Sequence, residues 1–168
     1  MKRACIAAFA ALAALVLFTS SAFAEDQEAQ SARNGPGYIL TIADRESRIV
    51  ARIPLLNGRF EHVFTHSFHL TPVKERFEVV PGLDGKPILH LYELDYESCG
   101  VGMPSDAENG FRLVDGIFIL DMSRDFTSIP LMVSIVEGHG IVADGLFYPF
   151  TDWVPQESML VLAAVAAF

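Results

Sequence analysis

Cysteine is almost absent from this 168-residue chain, which has only Cys5 and Cys99. Cys5 falls in a segment expected to be removed, so Cys99 is left alone and no internal disulfide is expected. A solitary thiol is most simply a small buried hydrophobe. Basic residues are also scarce, 12 against 21 acidic ones. That balance argues against nucleic acid or an anionic membrane as partner. Helical periodicity is missing too: no segment between Tyr38 and Pro155 keeps an apolar 3.6-residue repeat over three turns. No serine or cysteine sits at a nucleophile elbow. The glycine-bearing stretch Gly100-Val101-Gly102-Met103-Pro104 has neither the lysine nor the following helix of a phosphate loop. No enzyme chemistry and no cofactor are therefore expected.

What is present begins with an export signal. Lys2 and Arg3 are followed by the uncharged apolar run Ala4–Phe18, the polar Thr19-Ser20-Ser21, and small residues at Ala22-Phe23-Ala24. The run is too short for a spanning helix, which needs about 20 apolar residues. Cleavage near Ala24 into the periplasm is expected, leaving 144 residues with no membrane span. Losing Lys2 and Arg3 leaves 10 basic and 21 acidic residues, a net charge of −11. Residues 25–37, ending in Asn34-Gly35-Pro36-Gly37, read as a flexible leader. Residues 38–168 read as one domain.

That domain reads as all-β, a small antiparallel sandwich or barrel-like fold. Short runs rich in Ile, Val and Leu alternate with turn residues every 8–12 positions or so. Expected strands are Tyr38–Ala43, Arg48–Leu55, Arg59–Phe68, Pro72–Val80, Pro87–Glu97, Phe111–Val114, Ile117–Met122, Leu131–Val136 and Ile141–Leu146. Met159–Phe168 is apolar throughout and reads as a terminal strand, although its alanines would also permit a helix.

Strand parity singles out a polar pair. In Pro72–Val80, Val73, Glu75, Phe77 and Val79 share a face that is mostly apolar, so Glu75 should face inward. A buried carboxylate has to be paired, hydrogen-bonded or protonated. In the preceding strand His62, Phe64, His66 and Phe68 share a face. A four-residue loop from His69 to Pro72 would set His66 against Glu75, either as a base with its orienting carboxylate or as a polar pair fixing register. Metal binding by His62, His66 and His69 is disfavoured. The first two lie about 13 Å apart along a strand, and His69 points to the other face. His139, between Gly138 and Gly140, reads as a solvent-facing turn. Glu93, Asp95 and Glu97 read as a solvated face, and the aromatic stretch around Trp153 as a lid over the core.

Taken together, His66-Ser67, Pro72-Val73-Lys74-Glu75 and the run Ser98-Cys99-Gly100-Val101-Gly102-Met103-Pro104 resemble the family known as domain of unknown function 1850, over roughly Tyr38 to Phe150. The positions that carry the resemblance are His66, Ser67, Pro72, Glu75, Ser98, Gly100, Gly102 and Pro104. Cys99 and Val101 stand where an aromatic residue and an alanine are usual, and Phe68 where a β-branched residue is. The resemblance implies a small exported or membrane-anchored protein. It also implies a partner: tripartite ATP-independent periplasmic (TRAP) transporters that use TAXI-type solute-binding proteins to take up organic acids and amino acids. That makes a TRAP permease or its solute-binding protein the expected partner, with docking through Gly100–Gly110 and neighbouring strand edges. The rival expectation is a small-ligand or metal-binding module around His66 and Glu75.

Overall fold

Alternating inward apolar residues produce eleven strands among the described residues, which are 37–97 and 110–167 of a computed structural model. The strands are β1 (Tyr38–Asp44), β2 (Ile49–Leu55), β3 (Arg59–Thr65), β4 (Pro72–Pro81), β5 (Pro87–Tyr96), β6 (Phe111–Val114), β7 (Ile117–Phe126), β8 (Ile129–Met132), β9 (Gly140–Ala143), β10 (Leu146–Pro149) and β11 (Met159–Ala166). One 3-10 turn, η1, spans Phe150–Asp152. The expected signal, most of the expected leader, and Ser98, Gly100, Gly102 and Pro104 lie outside the described residues.

The strands form two antiparallel sheets that pack face to face without closing into a barrel. One has the order β2-β1-β11-β8, the other β10-β9-β3-β4-β5-β7-β6. Leu40, Ile42, Leu160 and Leu162 from the first sheet and Phe77, Leu89, Ile141 and Val73 from the second are fully or almost fully buried. Burying such side chains contributes roughly 1.5–3 kcal/mol each before entropy is counted. The C-terminal segment is indeed a strand. It lies between β1 and β8, with Leu160, Leu162 and Ala164 turned inward. Its alanines therefore do not make a helix, because the alternate positions are needed to cover the opposite sheet.

Three features position the site. First, β3 ends at Thr65 instead of Phe68. His66 turns the chain, with its N–H donating to Thr71 O and its carbonyl accepting from Leu70 N–H, and Leu70 takes a left-handed φ of 55°. Second, β5 carries a bulge at Tyr92, which keeps Leu89, Leu91, Leu94 and Tyr96 inward while Glu93 and Asp95 face out. Third, the stretch 129–146 is not one hairpin about Gly138-His139-Gly140. β8 joins the first sheet and β9 the second, so the segment between them crosses from sheet to sheet. The hairpin lies one turn later, at Asp144-Gly145 (φ 49° and 79°), and pairs β9 with β10.

Candidate functional site: a histidine relay beside a cleft

The register of β3 against β4 decides the chemistry. Thr65 opposes Pro72, Phe64 opposes Val73 and His62 opposes Glu75. The expected His66–Glu75 pair is thus corrected to His62–Glu75. The difference is four residues, because the connecting loop is longer than the assumed one. An even shift keeps parity, so Glu75 still faces a histidine on the inner face.

His62 is 7% exposed and its Nδ1 lies 2.8 Å from Glu75 Oε2. Its Nε2 lies 2.8 Å from Nε2 of His139, which comes from the crossing segment 77 residues away and is 8% exposed. His139 is therefore a core residue and not a solvent-facing turn. The flanking glycines make this possible. A Cβ on Gly140 would stand 2.4 Å from the Tyr148 carbonyl oxygen, so only glycine lets β9 approach β10 here. Phe64 and Phe150 pack against both imidazoles.

The proton positions follow from the partners. The Ser134 N–H donates to His139 Nδ1 at 2.8 Å, so that nitrogen carries no proton. A neutral His139 then holds its proton on Nε2 and donates it to His62 Nε2. His62 in turn holds its proton on Nδ1 and donates it to the Glu75 carboxylate. The result is one directed chain, Ser134 N–H to His139 to His62 to Glu75, in which all four ring nitrogens are used. Burial, followed by the neighbouring His62, pushes the His139 imidazole down to about 4.

This chain limits what the site can do. The Glu75–His62 half has the geometry of an oriented base. The place a nucleophile would occupy is filled by His139, which itself ends on a backbone amide. A metal at the two Nε2 atoms would displace the proton they share, and no trio of His, Cys, Asp or Glu among the described residues is arranged to hold an ion.

Beside the relay is an open cleft of about 390 Å³ between the end of β3 and edge strand β8. His62 and His139 form part of its wall, Phe64, Leu131 and Met132 its apolar side, and His66 and Ser67 its rim. His66 is thus brought to the cleft without Glu75. Its Nδ1 accepts the N–H groups of Phe68 and His69. Ser67 is exposed, and Pro72 opens β4 opposite Thr65.

The outer face of the same sheet holds a second network that parity alone misread as solvated. Arg76 pairs with Glu61 at 3.0 Å, with Asp95 at 2.8 Å and with Glu93. Arg112 joins Glu93 to Asp121, at 2.6 Å each. Glu97 is exposed, but Asp95 is 8% exposed and its Oδ1 has no hydrogen-bond partner.

Fold and site together define a two-sheet β-sandwich with an internal carboxylate–imidazole relay walling a cleft between the sheets. The chain belongs to the family described as Domain of unknown function (DUF1850), whose model matches residues 60–150. That span contains Glu75, His62, Ser134 and His139, every member of the relay. No curated protein and no solved structure matches the chain.

Proposed function

We propose that this is a periplasmic, non-enzymatic accessory of a TRAP-type uptake system, which binds the permease or a TAXI-type solute-binding protein. The observation that carries the non-enzymatic part is the closed relay. Its one oriented base can accept from no substrate position, because His139 occupies its free nitrogen and a backbone amide occupies the nitrogen beyond. Membership of the family supports the transporter association through the resemblance already described. The basic start, apolar run and small residues of 1–24 support export. The acidic charge suits a basic docking surface. No helix among the described residues is long and apolar enough to cross a membrane. Co-purification of the mature chain with the transporter proteins from its native membrane tests the proposal. Recovery of the permease or binding protein, and slowed uptake in a deletion strain, are expected. Normal uptake without the protein would overturn it.

A second reading, small-ligand binding, is favoured by the cleft itself. Its volume falls within the range of ligand pockets, and its wall combines apolar side chains with hydroxyl and imidazole groups. Native mass spectrometry of the mature protein, with and without a chelator, should show a bound small molecule that is lost in Met132→Trp. Met132 is 60% exposed at the cleft, so the larger ring fills it without disturbing the core.

A further inference from the structure

A second cleft of about 290 Å³ lies behind the first, lined by Glu137, Pro149, Thr151 and Gln156 among others. Ser134 and His139 line both clefts, and the hydrogen bond between them closes the gap. We propose that this bond is a proton-operated partition: a proton taken up by the His62–His139 pair breaks the ring bonding of His139, loosens the segment 134–139 and joins the two clefts. The inference deepens the ligand-binding reading, since it names the control of that same cleft.

The two rings share a single proton between their Nε2 atoms, and their outer nitrogens are committed to Glu75 and to Ser134 N–H. On the two rings an added proton has two places to go. On His139 Nδ1 it confronts the Ser134 N–H. On His62 Nε2 it confronts the His139 Nε2–H, unless that ring moves its own proton to Nδ1 and again meets Ser134. Either way His139 loses one of its two ring bonds, to Ser134 within the segment or to His62 on β3.

The surroundings make the response local. Glu75 from β4 faces His62, and His66 at the end of β3 shares the cleft. Strand β8 contributes only Leu131 and Met132. The 3-10 turn contributes Phe150 against the rings and Asp152 at an exposed position. On the segment itself, Glu137 is exposed, and its backbone carbonyl accepts from Thr65 Oγ1. Burial beside His62 keeps His139 neutral down to about 4, so the partition stays closed near neutrality. Both ends remain anchored. Val133 exchanges backbone bonds with Glu157 and Ser158, and Phe150 N–H donates to His139 O. Movement is thereby confined to the residues between them.

Hydrogen exchange of the mature protein across pH 7.5 to 4, corrected for intrinsic amide rates, tests this without any ligand. The expected result is at least a tenfold loss of protection at Ser134 that follows the His139 ring titration by NMR, while β4 and β5 amides keep theirs. His139→Gln, which supplies an acceptor and a donor but takes no second proton, should hold Ser134 protection constant. Ser134 protection that persists through the His139 titration would overturn the proposal. So would loss of β4–β5 protection at the same pH, which would make the event global unfolding. If the glutamine variant does not fold, the coincidence of the two wild-type midpoints decides alone. Failure to find a ligand would count against the cleft as a binding site and leave this result standing.

Discussion

Glu75 and Arg76 are neighbours in β4 whose side chains go to opposite faces, and the networks they anchor differ in kind. On the inner face, Glu75, His62, His139 and Ser134 N–H form a chain in which each neutral imidazole both donates and accepts. On the outer face, Arg76 and Arg112 hold Glu61, Glu93, Asp95 and Asp121 by charge. The inner chain depends on where single protons sit, so acid breaks it. The outer network depends on fixed charges, so acid affects it mainly through its carboxylates, and salt screens its exposed edge. Burial opposes the charge on Arg76, and Glu61, Asp95 and Glu93 more than offset it. One sheet thus separates an interior held by shared protons from a surface held by ion pairs.

The largest expected effect comes from breaking the inner chain at its centre. His62→Ala leaves Glu75 and the His139 Nε2–H without partners and opens a void beside Phe64 and Phe150, at a cost of roughly 3–4 kcal/mol. Urea unfolding measures it. Next is the outer network: Arg76→Ala leaves three carboxylates facing one another at a half-buried site, at a cost of roughly 2–3 kcal/mol. That loss should shrink in high salt, whereas the His62 loss should not.

Acid should separate the two faces directly. With His139 held at about 4, the folded protein binds fewer protons there than the unfolded chain between that pH and the ordinary histidine value of 6.5. The stability due to His139 is therefore complete above 6.5 and is lost as pH falls from there through about 4, roughly 3 kcal/mol in all. Asp95 has the opposite sign. Burial raises its carboxyl against the pull of Arg76, so its charge is a strain that acid relieves. The smallest predicted effect follows: Asp95→Asn should stabilise the protein at pH 7, on the order of 0.5 kcal/mol, as read from the thermal midpoint.

Much of this architecture was legible in the residues because it is local. Period-two alternation in Pro72–Val80 places Glu75 inward, and the continuous apolarity of Met159–Phe168 suits a strand. The misreadings arose where distant segments meet. His66 was set against Glu75 by assuming a short loop, and Leu70's left-handed turn lengthens it. His139 was read as exposed because a histidine between glycines usually marks a turn. Here Gly140 serves close approach of β10 instead, and the missing partner lies 77 positions away. Asp144-Gly145 is a hairpin signal, but it lies inside the apolar run that reads as one strand, Ile141–Leu146. Asp95's burial had no local signal, since parity gives a face but not what covers it.

In the relay both imidazoles are neutral and face each other with one shared proton. Long-range ¹⁵N–¹H correlation spectra of the mature protein at pH 7.5 test it most directly. The account predicts His62 as the Nδ1–H tautomer and His139 as the Nε2–H tautomer. A doubly protonated ring at either position, or His62 in the Nε2–H form, would contradict it.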